Sequence, residues 1–126
     1  PRPEQVQLID TLSQAKLLEY LRSSLALLSA STEEGFDYPV LEAKAEGTPT
    51  LISDIPVHRE FHQDSSLFFP VDDDGGALAD HVIACLQDRG LWTQLSQGGY
   101  ALAKRLSMAA QVASIKDQFR QLCRSI

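Results

Sequence analysis

An α/β domain built on a parallel sheet is the fold class predicted by this 126-residue sequence. Three observations carry the prediction. Short apolar runs of strand length alternate with segments of helical periodicity. No hairpin signal joins two of the strands. Leu25-Ala26-Leu27-Leu28 is apolar at every position, as a strand buried on both faces must be.

The elements follow in order. Gln5-Val6-Gln7-Leu8-Ile9 is a short β-prone run. A helix over about 13–22 has Ser13 as its N-cap, with Leu17, Leu18 and Leu21 at helical spacing. After the strand at 25–28, a loop rich in Ser, Thr, Glu and Gly leads to Pro39, which suits a first helical turn. The helix it opens carries Val40, Leu41, Ala43 and Ala45 and stops at Gly47. Thr50-Leu51-Ile52 and Leu67-Phe68-Phe69 read as strands, with a short helix over 57–63 between them. From Ala77 the pattern is helical, with Leu78, His81, Val82 and Cys85 on one face. A further helix begins near Trp92, with Gly98-Gly99 as its weak point. The last helix fills a tail at about 108–126. It sets Val112, Ile115, Phe119 and Leu122 on one stripe, and Lys116, Arg120 and Arg124 on another beside it. About four strands are few for a doubly wound domain. Residues 1–126 are therefore expected to form a single, partial domain, cut from a longer chain as the start at Pro1 also suggests.

Composition bounds the function. Hydrophobic residues at 44% and charged residues at 22% exclude a disordered chain. No apolar run approaches the ~18–20 residues of a membrane span, and no signal segment opens the chain. Cys85 and Cys123 form neither a disulfide framework nor a zinc motif and suit a reducing cytoplasm. The net charge of −6 argues against general nucleic-acid binding. It also hides an asymmetry. Residues 1–88 carry 5 basic and 16 acidic side chains, net −11, whereas 89–126 carry 6 and 1, net +5. Either the basic tail faces a different partner from the acidic body, or solvated helix faces have simply segregated.

Chemistry concentrates in one segment, Ser-Thr-Glu-Glu-Gly-Phe-Asp-Tyr-Pro-Val-Leu-Glu-Ala-Lys-Ala-Glu-Gly-Thr-Pro-Thr, at positions 31–50. It leaves a buried strand and opens a helix, and ligands of parallel sheets bind at such carboxyl ends. Its backbone N–H groups and the helix N-terminus offer an anion site suited to a diphosphate. Glu34 lies in the loop. Glu42 lies one turn into the helix, facing back toward the loop, where a carboxylate can accept bonds from vicinal sugar hydroxyls.

Glu34 and Glu42 form an E-x7-E pair, and the whole segment resembles the signature of retaining GT-B fold glycosyltransferases, particularly glycosyltransferase family 4 (group 1). The resemblance extends through Leu25 to Ser29, Ser-Asp-Ile-Pro-Val-His-Arg-Glu at 53–60, and Phe68-Phe69-Pro70, covering nearly the whole chain. It implies the later part of a Rossmann-like C-terminal donor domain, acting on a nucleotide-diphosphate sugar. Glu34 would lie beside the donor sugar as the catalytic residue, and Glu42 would hold the ribose. Backbone amides of Gly35, Phe36 and Asp37 would approach the sugar and diphosphate. Relatives commonly have glycine where this chain has Asp37 and leucine where it has Tyr38. A carboxylate at 37 repels a diphosphate unless it points away or caps the helix, and the helix-entry role is the simpler reading. The resemblance also implies no metal or other cofactor, an N-terminal acceptor domain outside this chain, and a cytoplasmic or peripheral membrane location for the parent protein.

Other candidates have plainer readings. His58 and His62 have zinc-compatible i, i+4 spacing but no third ligand, so a surface helix with an internal charge pair is expected. The resemblance would place His58 and Glu60 near the donor cleft, which makes them residues to watch. Asp72-Asp73-Asp74-Gly75-Gly76 lacks the alternating ligands of a calcium loop and reads as an acidic helix cap. Trp92 and Tyr100 read as core or rim. The reading is therefore the donor-binding part of a glycosyltransferase that retains configuration. A non-catalytic nucleotide-sugar-binding or interaction module is the alternative, or another GT-B enzyme such as a sugar phosphorylase or synthase. The isolated chain is expected to fold, to be inactive, and to self-associate through its uncovered last helix.

Overall fold

In the computed structural model, residues 3–124 are described. The order is a 3-10 turn Pro3–Gln5, α1 Gln14–Ser23, β1 Leu27–Ser29, α2 Tyr38–Ala45, β2 Thr50–Ser53, α3 Pro56–His62, β3 Leu67–Phe69, α4 Gly76–Gln87, α5 Arg89–Arg105 and α6 Met108–Arg124. The class is the expected one. Three strands in the order β1-β2-β3 form a parallel sheet flanked by helices, with Leu28 opposite Leu51 and Ile52 opposite Phe68.

Local signals set most boundaries. The Ser13 hydroxyl accepts from the Lys16 N–H and caps α1. Asp73 and Asp74 bond the first amides of α4: Gly76 N–H donates to Asp74, and Ala77 and Leu78 N–H donate to Asp73. The acidic run is thus the cap that was expected. Gly47, at φ +76°, ends the turn after α2 in a conformation few side chains tolerate.

The central strand explains the core. All four residues of β2 are buried, and Leu51 packs with Cys85 of α4 and Leu95 of α5. Trp92 packs against the same cluster, and its indole N–H donates to the Leu25 carbonyl at 2.9 Å. Helix α5 lies along α2. The Ser96 hydroxyl donates to Gly47 O at 2.6 Å, and a Cβ at Gly99 would stand 3.0 Å from Lys44 Cγ.

Four expectations need correcting. The run 5–9 forms no strand: Val6 and Leu8 are exposed, and among the described residues no strand pairs with them. The sheet has three described strands rather than about four. Helix α5 runs through Gly98-Gly99 unbroken, because the missing Cβ at Gly99 is what lets it approach the Lys44 stem. Finally, α3 is no surface helix, since His58 and His62 are both fully buried.

The tail is helical as expected, and none of α6 is buried. Val112, Ile115, Phe119 and Leu122 all lie exposed. No helix among the described residues is long and apolar enough to cross a membrane.

Candidate functional site

Parallel strands place the ends of β1 and β2 side by side, so the segments that follow them meet. There they enclose an open cleft of about 540 Å³. Glu33, Glu34 and Gly35 line it from the loop after β1; Ile55, Pro56 and Glu60 line it from the start of α3. The cleft lies where ligands of parallel sheets bind. A second hollow of about 470 Å³ opens on the other flank of α3, toward α5, and contains neither glutamate of the E-x7-E pair.

The structure brings some of the expected site residues together and separates others. Glu34 is exposed in the cleft, its carboxylate accepting from the Ser31 hydroxyl at 2.7 Å. Gly35 lies beside it, and a side chain there would meet nothing within 4 Å. The amides of Gly35 and Phe36 make no hydrogen bond among the described residues. Glu42 stands exposed on α2, outside the cleft lining, with no partner among the described residues. The Phe36 ring is outside the cleft lining and packs in an aromatic cluster with Tyr38 at 5.2 Å and Phe61 at 4.9 Å.

Asp37 points inward. It is the one non-glycine residue with positive φ among those described, at +62°. Aspartate tolerates this left-handed region better than most residues because its short carboxylate bonds locally. Here one carboxylate oxygen accepts from the Val40 N–H, capping α2. The other accepts from the Ser29 hydroxyl at 2.6 Å and lies 3.0 Å from His58 Nε2. The carboxylate is therefore withdrawn from any diphosphate in the cleft. This is the helix-entry role expected of Asp37.

Behind the loop lies a buried polar layer that sequence reasoning largely missed. The other nitrogen of His58, Nδ1, lies 2.8 Å from the Ser53 carbonyl oxygen. The Lys44 ammonium is fully buried and donates to the carbonyl and hydroxyl oxygens of Ser65. Burial lowers its pKa to about 7. Both ring nitrogens of His62 are buried. Burial chiefly, then the charges of Lys44 and His58, lower its pKa to about 4, against smaller opposing pulls from Asp37 and from the Phe36 backbone. It is a neutral spacer between Phe36, at 6.3 Å, and His58, at 6.1 Å. The i, i+4 histidine spacing was the available signal. Lys44, flanked by Ala43 and Ala45, gave none.

On the exposed side of α3, Arg59 makes a two-pronged pair with Asp54 at 2.6 and 2.7 Å and stacks over Phe68 at 4.1 Å. This pair holds Asp54 below, and Arg59 above, its ordinary pKa. Arg59 is thereby engaged beside the cleft.

Known proteins point the same way. Residues 2–102 match the family model of glycosyl transferases group 1. The serotype-specific mannosyltransferase WbdA of Escherichia coli is 31% identical over 114 residues, covering 83% of this chain and 14% of that protein. The O-antigen chain mannosyltransferase RfbU of Salmonella typhimurium is 43% identical over 49 residues, covering 39% of this chain and 14% of that protein. The chain thus spans a small part of the length of either relative. The family match takes in β1, the loop, α2 and α3, the elements that build the cleft. This chain belongs to the glycosyl transferases group 1 family.

Proposed function

We propose that this chain is the nucleotide-sugar donor-binding part of a glycosyltransferase that retains anomeric configuration. The observation that carries the reading is the placement of Glu34 and Gly35 in the cleft at the carboxyl ends of β1 and β2, within the span matched by the family. Glu34 faces the donor sugar and acts on it. The free amides of Gly35 and Phe36, with the backbone of Asp37, approach the sugar and diphosphate. Such N–H groups, preorganised near a helix N-terminus, stabilise charge that develops on a departing diphosphate. Glu42 holds the ribose hydroxyls from the exposed face of α2, which requires the nucleotide to extend beyond the cleft lining along that helix.

The acceptor site belongs to a domain of the parent outside these residues, so transfer needs that domain to align the two substrates. Two matched relatives are named as mannosyltransferases, which makes mannose the first sugar to test. Calorimetry with GDP and UDP tests the donor site, and turnover of the parent tests the chemistry. Glu42→Ala should weaken nucleotide binding by about tenfold or more, the loss of a charge-assisted hydrogen bond. Glu34→Ala should leave nucleotide affinity nearly intact and lower turnover. Unchanged affinity in Glu42→Ala removes the ribose assignment.

A further inference from the structure

The donor loop rests on a proton whose position the hydrogen bonds dictate. His58 Nδ1 lies 2.8 Å from the Ser53 carbonyl oxygen, which can only accept. The Ser53 hydroxyl, 3.4 Å from the same nitrogen, donates its proton to the Ser31 carbonyl and can only accept from the ring. Nδ1 therefore carries a hydrogen. In a neutral imidazole Nε2 would then be a bare acceptor. It faces the Asp37 carboxylate at 3.0 Å, and two acceptors at that distance repel. A second proton must lie between them. The Asp37 carboxylate also accepts from Ser29 and Val40, bonds that favour its charged form, so the proton belongs on the ring.

We infer that His58 and Asp37 are a buried imidazolium–carboxylate pair that positions the donor loop. The pair ties the loop's last residue to the ends of β1 and β2 and to α3, through Ser29, Ser53 and His58. It explains why aspartate occupies a left-handed position that would otherwise favour glycine: three donors recover the carboxylate there. Both partners are almost completely shielded, with side chains 0% and 3% exposed, so neither can be replaced by water. Neither touches donor in this account. They are positioning residues, acting through the backbone of residues 35–37, and the inference rests on the donor-site reading only for what that loop does.

Among the described residues, Asp37 from the loop and His62 from its own helix face the ring, and Lys44 of α2 acts on His62 beside it. Lys44 titrates near neutrality and must be controlled for, which a Lys44→Met background does.

Nitrogen-15 NMR of the imidazole rings, with the amides of Gly35, Phe36 and Asp37 followed through the same pH titration, tests the pair directly. At pH 7 both His58 nitrogens should be protonated, and the loop amides should shift with the ring as the pH rises. Asp37→Asn keeps side-chain size and one accepting oxygen for the Val40 N–H, but removes the charge and turns an NH2 donor toward His58 Nε2. In that variant His58 should be neutral at pH 7 and the loop amides should no longer follow it. Affinity for GDP or UDP, whichever the wild type binds, should fall about tenfold in Asp37→Asn, and its fall with rising pH should flatten. In the Lys44→Met background the wild-type pH profile should persist. A neutral His58 ring at pH 7, or loop amides indifferent to its titration, overturns the inference, as does equal nucleotide affinity in wild type and Asp37→Asn. If the wild type binds neither nucleotide, the donor-site reading fails, and the ring and loop-amide measurements still decide the ion pair.

Discussion

The loop–α2–α3 region and helix α6 use polar and apolar side chains in opposite ways. Around the loop after β1, Asp37, Lys44, His58 and His62 are buried, while Glu34 and Glu42 remain exposed. Along α6 the polar residues and the apolar stripe alike face solvent, and Phe119 is 64% exposed. Buried charge is costly unless paired, so the first region is over-determined: moving one group strands its partner. Exposed apolar surface carries no such coupling. The first region is tied together by paired buried groups, whereas the second leaves an apolar stripe in solvent.

The largest expected effect is at Asp37. Asp37→Ala takes away the partner of His58 Nε2 and the 2.6 Å acceptor of the Ser29 hydroxyl, and it leaves a β-carbon at positive φ with no local bond to compensate. A loss of about 3–5 kcal/mol is expected by urea denaturation. Phe119→Ala should change stability by less than about 0.5 kcal/mol, because it is exposed. Similar losses at the two sites would break the contrast between the regions.

Lys44 offers a pH-resolved version of the comparison. Its folded pKa of about 7 lies below the unfolded value, so the unfolded chain binds more protons between those values. The stability of the wild type should therefore rise with pH from about 7 toward 10, by at most about 1.4 kcal/mol per pH unit from this group. Lys44→Met removes that contribution, so its advantage over wild type should be largest near pH 7 and shrink as the pH rises. His62 acts in the same direction at lower pH: its folded pKa of about 4 means that stability falls as pH drops below about 6.5.

A smaller effect is expected from the tail itself. Replacing Ile115 and Phe119 by serine should leave the fold intact and reduce self-association. Light scattering at increasing concentration measures it. A wild-type monomer at millimolar concentration would show that the apolar stripe needs no cover.

The difference between the regions also explains what the sequence made legible. Caps and turns are local, so Ser13, the acidic run 72–74 and Gly47 marked their boundaries correctly. The amphipathic stripe of α6 was equally plain, because one helix carries it whole. Strand formation is not local: the β-prone run 5–9 has no pairing edge among the described residues. The buried polar layer was the least legible part. His58 and Asp37 are 21 positions apart, as are Lys44 and Ser65, so no window along the chain contains either pair. Gly99 looked like a helix breaker because its neighbour, the Lys44 stem, lies on another helix. The E-x7-E segment could be read because its two acids sit within one loop and the helix it opens, although only Glu34 lines the cleft.

The central claim is that the loop after β1 and the exposed face of α2 together hold a nucleotide-sugar donor. Calorimetric titration of GDP and UDP into wild type and Glu42→Ala tests it most directly. One nucleotide should bind the wild type with a single site, and the variant should bind it about tenfold or more weakly, with an unchanged fold by circular dichroism. Equal affinity in the two proteins, or no binding of either nucleotide to the wild type, would contradict it.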